Sequence, residues 1–275
     1  MQQKTISIMG CGWLGLPLAK ELVRAGYQVK GSTTSPEKIP LLAAEQIAPF
    51  LLSFPENSPK TALADFLQSD VLFLNIPPSR GISGSTSYET LLRTVLEAAP
   101  ASLQAILFIS STSVYPDVNR EVVEQDAVAS AASPSLMLRC EHLVQQETKT
   151  KATIVRFGGL MGGNRHPGRW LAGKTEVPQP HAPVNMIHLA DCMGLILQII
   201  KQEKWGFTFN ACAPMHPTRK EFYSAAAQHL NLVPPLFASP EKLRYKSINS
   251  DLVQRKLQYN FECPDPLACL ASPAF

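Results

Sequence analysis

No two of the six cysteines, at positions 11, 140, 192, 212, 263 and 269, are spaced as CxxC, and none lies in a Cys/His cluster with zinc spacing. No metal site is therefore expected, and the six read as reduced, mostly buried thiols. Charge is also sparse. Asp, Glu, Lys and Arg make up 17% of the chain, the net charge is +3, and no basic stripe interleaves with aromatics. That composition excludes a nucleic-acid surface. No apolar run approaches the ~20 residues needed to span a bilayer, so no membrane partner is expected. The first ten residues lead straight into an apolar strand, in place of a signal peptide. Together these absences point to a cytoplasmic protein. Internal repeats and low-complexity linkers are missing as well.

The 275 residues, 45% of them hydrophobic, suffice for one large domain or one domain with a smaller appendage. The most informative stretch is residues 5–34. An apolar run at 6–9 meets a glycine turn, Gly10-Cys11-Gly12-Trp13-Leu14-Gly15. Leu16, Leu18, Leu22 and Val23 then recur at helical spacing, Gly26 closes the helix, and a second strand follows at 27–31. Strand, turn, helix and strand make a βαβ unit. In such a unit Gly10 allows the tight turn, Gly12 lets a pyrophosphate approach the backbone, and Gly15 lets helix and strand pack closely. The helix N-terminus then faces the phosphates with its N–H groups and positive dipole end. This predicts a dinucleotide site formed by residues 10–15. Cys11 either touches the cofactor or is a small residue that fits the turn.

The second strand leads into Ser32-Thr33-Thr34-Ser35-Pro36-Glu37-Lys38. An NAD site usually places Asp or Glu at the end of this strand, on the ribose hydroxyls. No carboxylate stands at 30–35, whereas Ser32, Thr33, Thr34 and Lys38 could hold a 2′-phosphate. The cofactor is thus NADP or NAD, with the hydroxyls and Lys38 tilting the choice towards NADP. The same residues also suit plain turn chemistry, with Thr34 or Ser35 capping the next helix.

Further strands are expected at 48–54, 71–76, 105–110 and 152–157, with helices at 60–68, 88–98 and 136–147. A mobile Gly/Ser-rich loop is expected at 81–87, and an acidic loop at 122–126. Apolar strands alternating with helices predict a Rossmann-type, doubly wound parallel α/β sheet. Because strand C-termini line the cofactor crevice, Asn75, Ile76, Pro77 and Pro78, with Ser79, are placed beside the cofactor. From about residue 160 prolines become frequent. A strand at 184–188, a helix at 189–201 capped near Asp191, a strand at 207–210 and a helix at 218–230 follow. Thr218 and Glu221 have capping-box spacing. The expected organisation is a dinucleotide-binding domain over 1–160 and a smaller C-terminal substrate lobe over 161–275, with 184–212 returning to the first core.

The segments GCGWLG (10–15), FISSTSVYPD (108–117), VRFGGLMGG (155–163), NMIHLADC (185–192) and FNACAPMHPTRKEFY (209–223) carry a resemblance that covers nearly the whole chain. The chain resembles the NAD-dependent epimerase/dehydratase branch of the short-chain dehydrogenase/reductase superfamily. Within it, the chain looks closest to an atypical bacterial group that begins with GxGxxG. The resemblance implies that Ser111 hydrogen-bonds the substrate oxygen that gains or loses a hydride. The family's base is a Tyr with a Lys four residues later, because a Tyr with pKa near ~10 needs help at neutral pH. Here Glu141 fits the Glu that usually follows that Lys, which puts Met137 at the Lys and Ser133 at the Tyr. No YxxxK occurs anywhere in the chain.

Of the remaining groups, Arg139 is the nearest cation, and Tyr115, near the end of the fifth strand, is a weak acid/base candidate whose equivalent in the family is a packing residue. His166, between Arg165 and Arg169, falls where the family's substrate loop follows the sixth strand. A His with two Arg can bind and protonate an anion; the alternative is a solvated basic turn. Asn185 and His188 match the family's lobe-packing segment, with Asn185 taken as a substrate contact, and Asn210, at a strand end, is placed on the substrate side by resemblance alone. The expected function is an NAD(P)-dependent oxidoreductase or epimerase for a small polar or anionic molecule, catalysed by Ser111 and His166. The alternative is a non-catalytic NADP(H)-binding module. Either form would be a monomer or a homodimer.

Overall fold

The computed structural model describes residues 3–53, 60–78, 88–146, 150–239 and 242–271. The chain runs β1 (Thr5–Met9), α1 (Gly15–Arg24), β2 (Gln28–Thr33), α2 (Ile39–Ala44), β3 (Ala48–Leu51), α3 (Lys60–Leu67) and β4 (Val71–Leu74). It continues through α4 (Tyr88–Glu97), β5 (Ala105–Ser111), β6 (Arg120–Val122), α5 (Leu136–Gln146), β7 (Lys151–Phe157), β8 (Gly159–Met161) and α6 (Gly168–Leu171). The last elements are β9 (Met186–His188), α7 (Leu189–Lys201), β10 (Thr208–Ala211), α8 (Arg219–His229), β11 (Lys246–Ile248), α9 (Asp251–Leu257) and α10 (Pro266–Cys269).

Seven strands form one sheet in the order β10-β7-β5-β4-β1-β2-β3. The pairs β1–β2, β1–β4, β2–β3 and β4–β5 are parallel. The order reverses about β1, which has β2 on one side and β4 on the other. Such a reversal opens a crevice at the strands' C-terminal ends, and the glycine turn leaves β1 at that point. Every residue of β4 is buried, as a parallel sheet covered on both faces requires. On one face Leu72, Leu74, Ile106 and Phe108 pack with Phe66 of α3, Leu92 and Val95 of α4, and Leu143 and Val144 of α5. Ser7, also buried, donates from its hydroxyl to the Phe66 carbonyl at 2.6 Å.

The chain divides into two compact units that are not contiguous in sequence. The first comprises Met1–Ser110, Val128–Val155 and Glu203–Thr208, and the second Ser111–Ala127, Arg156–Gln202 and Phe209–Phe275. The second unit thus takes in residues 111–127, which the sequence places in the first domain. Its small ladders are β6–β11 and β8–β9, both parallel. Its core joins Met161, Met186, Phe222, Ala226, Cys263 and Leu270. Helix α6 lies so close to α8 that a Cβ at Gly168 would fall 2.1 Å from the Ala226 carbonyl oxygen.

Several local expectations change. Residues 120–122 form a strand, followed by a 3₁₀ turn over 124–126, in place of an acidic loop. Asp191 does not cap α7. His188 does, its Nδ1 accepting the Ala190 N–H at 3.2 Å. Cys263 and Cys269 are joined as a disulfide, with Cα atoms 5.8 Å apart, whereas all six cysteines were expected as thiols. The loop at 81–87 and the Ser79 position lie outside the described residues.

Candidate dinucleotide site

The glycine turn has the shape its spacing predicts. Gly10 has φ +104°, and a Cβ there would come within 2.9 Å of the Asn75 carbonyl oxygen. A Cβ at Gly15 would lie 2.1 Å from the Gly10 carbonyl oxygen. Both positions therefore exclude any larger residue, one by backbone conformation and contact, the other by contact. Gly12 is different: it is exposed, and nothing lies within 4 Å of where its Cβ would be. The open space at Gly12 is a cradle that a Cβ would intrude on, at the start of α1. That helix carries no side-chain N-cap and no acidic residue in its first turn. Its positive dipole end is left for an anion, so the residues present fit a dinucleotide pyrophosphate.

The neighbouring strand ends brace this turn. The Gly10 N–H donates to Ser32 Oγ at 3.0 Å and the Cys11 N–H to the Ser32 carbonyl at 2.9 Å. Asn75 donates from Nδ2 to the Gly10 carbonyl at 3.1 Å. Tyr88 donates from its hydroxyl to the Ile76 carbonyl at 2.6 Å, and Pro77 and Pro78 are exposed. Ser32 and Thr33 are buried; Thr33 Oγ1 accepts the Ser35 N–H at 3.1 Å. Their hydroxyls therefore serve the turn, while Thr34 and Lys38 are exposed. Burial pushes the Cys11 thiol up to about 12, opposed by a hydrogen bond from the Ser32 backbone and by the Lys38 charge. Cys11 is 5% exposed, so it is a packing residue of the turn.

Ser111 ends β5, half-buried, with its Oγ accepting the Ser113 N–H at 3.1 Å. That bond uses a lone pair and leaves the O–H to donate. The other candidates belong with Ser111 to the second unit. Arg165 and Arg169 are exposed, but His166 is buried. His166 Nδ1 accepts the Gly168 N–H at 3.1 Å, and its ring stacks on His229 with centroids 5.6 Å apart. Burial, then His229, then Arg169 hold its pKa below the usual histidine value. It is a neutral residue that shapes the start of α6. Asn185 uses both ends of its amide on β11, donating to the Lys246 carbonyl and accepting the Ile248 N–H, each at 2.9 Å. Asn185 thus ties its segment to β11.

Tyr115 is also internal. Its hydroxyl donates to Asn210 Oδ1 at 2.7 Å and accepts from Arg156 Nη1 at 2.6 Å. Arg156, 2% exposed, also donates to the carbonyls of Glu124 and Ala127, both at 2.9 Å. Glu124 Oε1 accepts the Asn210 N–H at 2.9 Å. Burial raises the pKa of Tyr115 despite Arg156, and both hydrogen bonds hold its hydroxyl inside the protein. Nothing in the sequence pairs these residues, whose bonded partners lie 29 to 95 positions apart.

Of the two positions that the resemblance sets against the family's Tyr and Lys, Ser133 Oγ accepts the Ser135 N–H at 3.2 Å, and Met137 packs on the apolar core of the first unit. Arg139 donates to Glu89 Oε1 at 2.9 Å and Oε2 at 3.3 Å, and to the Ser133 carbonyl at 2.8 Å. Among the described residues no His, Cys, Asp and Glu cluster could hold a metal, and no helix is long and apolar enough to cross a membrane.

No family model matches the chain. Protein YeeZ of Escherichia coli K12 is 34% identical over 269 residues, 96% of this chain and 98% of the relative. A conserved protein of unknown function from Silicibacter pomeroyi superposes with TM-score 0.77 at 20% identity, over 98% of this chain and 97% of its own. A UDP-glucuronic acid 4-epimerase from Bacillus cereus, solved with UDP-glucuronic acid and NAD, gives 0.75 at 19% identity over 97% and 96%. A putative NAD-dependent epimerase/dehydratase from Methylobacillus flagellatus gives 0.71 at 23% identity over 97% and 96%. The chain belongs to the family of Protein YeeZ, and its fold is the one seen in the UDP-glucuronic acid 4-epimerase and in the putative NAD-dependent epimerase/dehydratase.

Proposed function

We propose that this protein binds NADP(H) at the glycine turn and acts as an oxidoreductase or epimerase on a small polar or anionic molecule. The observation that carries the reading is the contrast between Gly10 and Gly15, closed to any side chain, and Gly12, which opens onto empty space at the α1 N-terminus. When bound, the cofactor would supply a hydride donor or acceptor. Ser111 would donate its O–H to the substrate oxygen, and exposed Arg165 and Arg169 would attract its negative charge. The lean to NADP rests on Lys38 and Thr34, both exposed in the segment around the end of β2. Because His166 is buried and engaged, a bound water is the better replacement for the absent Tyr.

A second reading is a non-catalytic NADP(H)-binding module. It draws on one observation: Arg139, the cation nearest the positions Ser133 and Met137 where the resemblance expects a proton-relay pair, is held by Glu89. Parallel fluorescence titrations with NADPH and NADH test both. The account expects saturation by NADPH, with Lys38→Ala weakening NADPH about tenfold, the loss of one charge-assisted contact, and leaving NADH unchanged. No binding of either nucleotide would remove both readings.

A further inference from the structure

We propose that Cys263 and Cys269 form a reversible thiol–disulfide couple, a site of oxidative modification that fastens the C-terminal segment to the core of the second unit. Their Cα atoms are 5.8 Å apart, within the range a disulfide spans without moving the backbone. The two sulfurs differ in access. Cys263 is 2% exposed, whereas Cys269, at the end of α10, is half-buried. The four free cysteines are all buried. Burial raises each of those thiols, Cys11 and Cys140 to about 12. Cys269 is thus the sulfur that a solution thiol or disulfide can reach.

The bond joins two differently held pieces. The Cys263 side is fixed on the buried Asp191 carboxylate, which accepts the Tyr259 O–H at 2.9 Å, the Glu262 N–H at 2.7 Å and the Cys263 N–H at 3.0 Å. The Cys269 side rides on α10, a four-residue helix that packs against α8 and β9. Both cysteines belong to the apolar cluster of Met161, Met186 and Phe222, against which Trp170 of α6 packs. Breaking the bond therefore frees α10 from its fixed partner and loosens the floor under α6, the helix that follows Arg165 and His166.

The chemistry balances with a glutathione-type disulfide as oxidant. The Cys269 thiolate attacks one of its sulfurs and displaces one glutathione thiolate. The Cys263 sulfur then attacks Cys269 Sγ and releases the second. Two electrons pass from the protein thiols to the reagent, and their two protons end on the released thiols. Reduction is the reverse, beginning with attack on the half-buried Cys269.

The test equilibrates the folded full-length chain in glutathione buffers of graded oxidised-to-reduced ratio. Alkylation under native and then denaturing conditions, with intact-mass and peptide analysis, gives the extent of the bond. Amide exchange of the same samples gives its consequence. The expected result is a 263–269 bond that follows the ratio in both directions, with exchange over 168–171 and 262–269 speeding up on reduction. The Cys269→Ser variant should exchange like the reduced protein in every buffer. Both cysteines staying alkylatable at all ratios would overturn the proposal. So would a bond persisting at the most reducing ratio, unchanged exchange over 168–171, or a Cys269→Ser variant that still responds to the buffer. No nucleotide enters the assay, so its outcome is independent of the dinucleotide reading.

Discussion

Among the described residues Arg156 is the largest fully buried side chain, and its acceptors on Tyr115, Glu124 and Ala127 show why a cation can lie there. An unpaired guanidinium would not be tolerated inside, and three acceptors robbed of their donor would not be either. Arg156→Met should therefore destabilise the protein by about 3 kcal/mol, and Tyr115→Phe by about 1 kcal/mol. Urea denaturation reads both, and an Arg156→Met midpoint equal to the wild type would refute the assignment. These residues also show where sequence reading ends. Tyr115 read as a weak acid/base candidate and Asn210 as a substrate-side residue because each falls at a strand end. Only the folded chain reveals that their polar atoms face each other. Asp191 was misplaced for the same reason: its partners, Tyr259, Glu262 and Cys263, are about 70 positions away.

Among the elements, those set by local chemistry were the legible ones. The Thr218–Glu221 capping box is present as the spacing predicts: Thr218 Oγ1 accepts the Glu221 N–H at 3.3 Å, and Glu221 Oε2 accepts the Thr218 N–H at 2.9 Å. Thr218→Ala should cost about 1 kcal/mol, read as a lower denaturation midpoint; an unchanged midpoint would mean the cap contributes nothing. The packing of α6 on α8 carries a pH prediction. His166 has a depressed pKa because burial, His229 and Arg169 all oppose its protonation. Its folded pKa is below the unfolded value near 6.5, so its contribution is complete above pH ~6.5 and is lost as pH falls through the folded pKa. Asp191 and Glu124, whose burial raises their pKa values, pull the other way, so the comparison must be with a variant. Thermal melts from pH 7.5 to 5.5 should show a steeper loss in the wild type than in His166→Asn. Equal slopes would contradict this.

For the whole molecule, the alternation of apolar strands and helices was enough to read a Rossmann-type α/β sheet. The order of strands and the reversal about β1 confirm that architecture and place the glycine turn at the crevice. The interleaving of the two units was not legible, because the chain crosses between them at 110, 127, 155, 202 and 208 without a linker signature. The NADPH affinity of Gly12→Ala, measured beside Gly15→Ala, tests the central claim most directly. Nothing lies within 4 Å of a Cβ at Gly12, whereas one at Gly15 would meet the Gly10 carbonyl at 2.1 Å. Gly12→Ala should keep the wild-type melting temperature and lose about tenfold or more in NADPH affinity, or about 1.4 kcal/mol; Gly15→Ala should lose stability as well. Wild-type NADPH affinity in a well-folded Gly12→Ala would contradict the account.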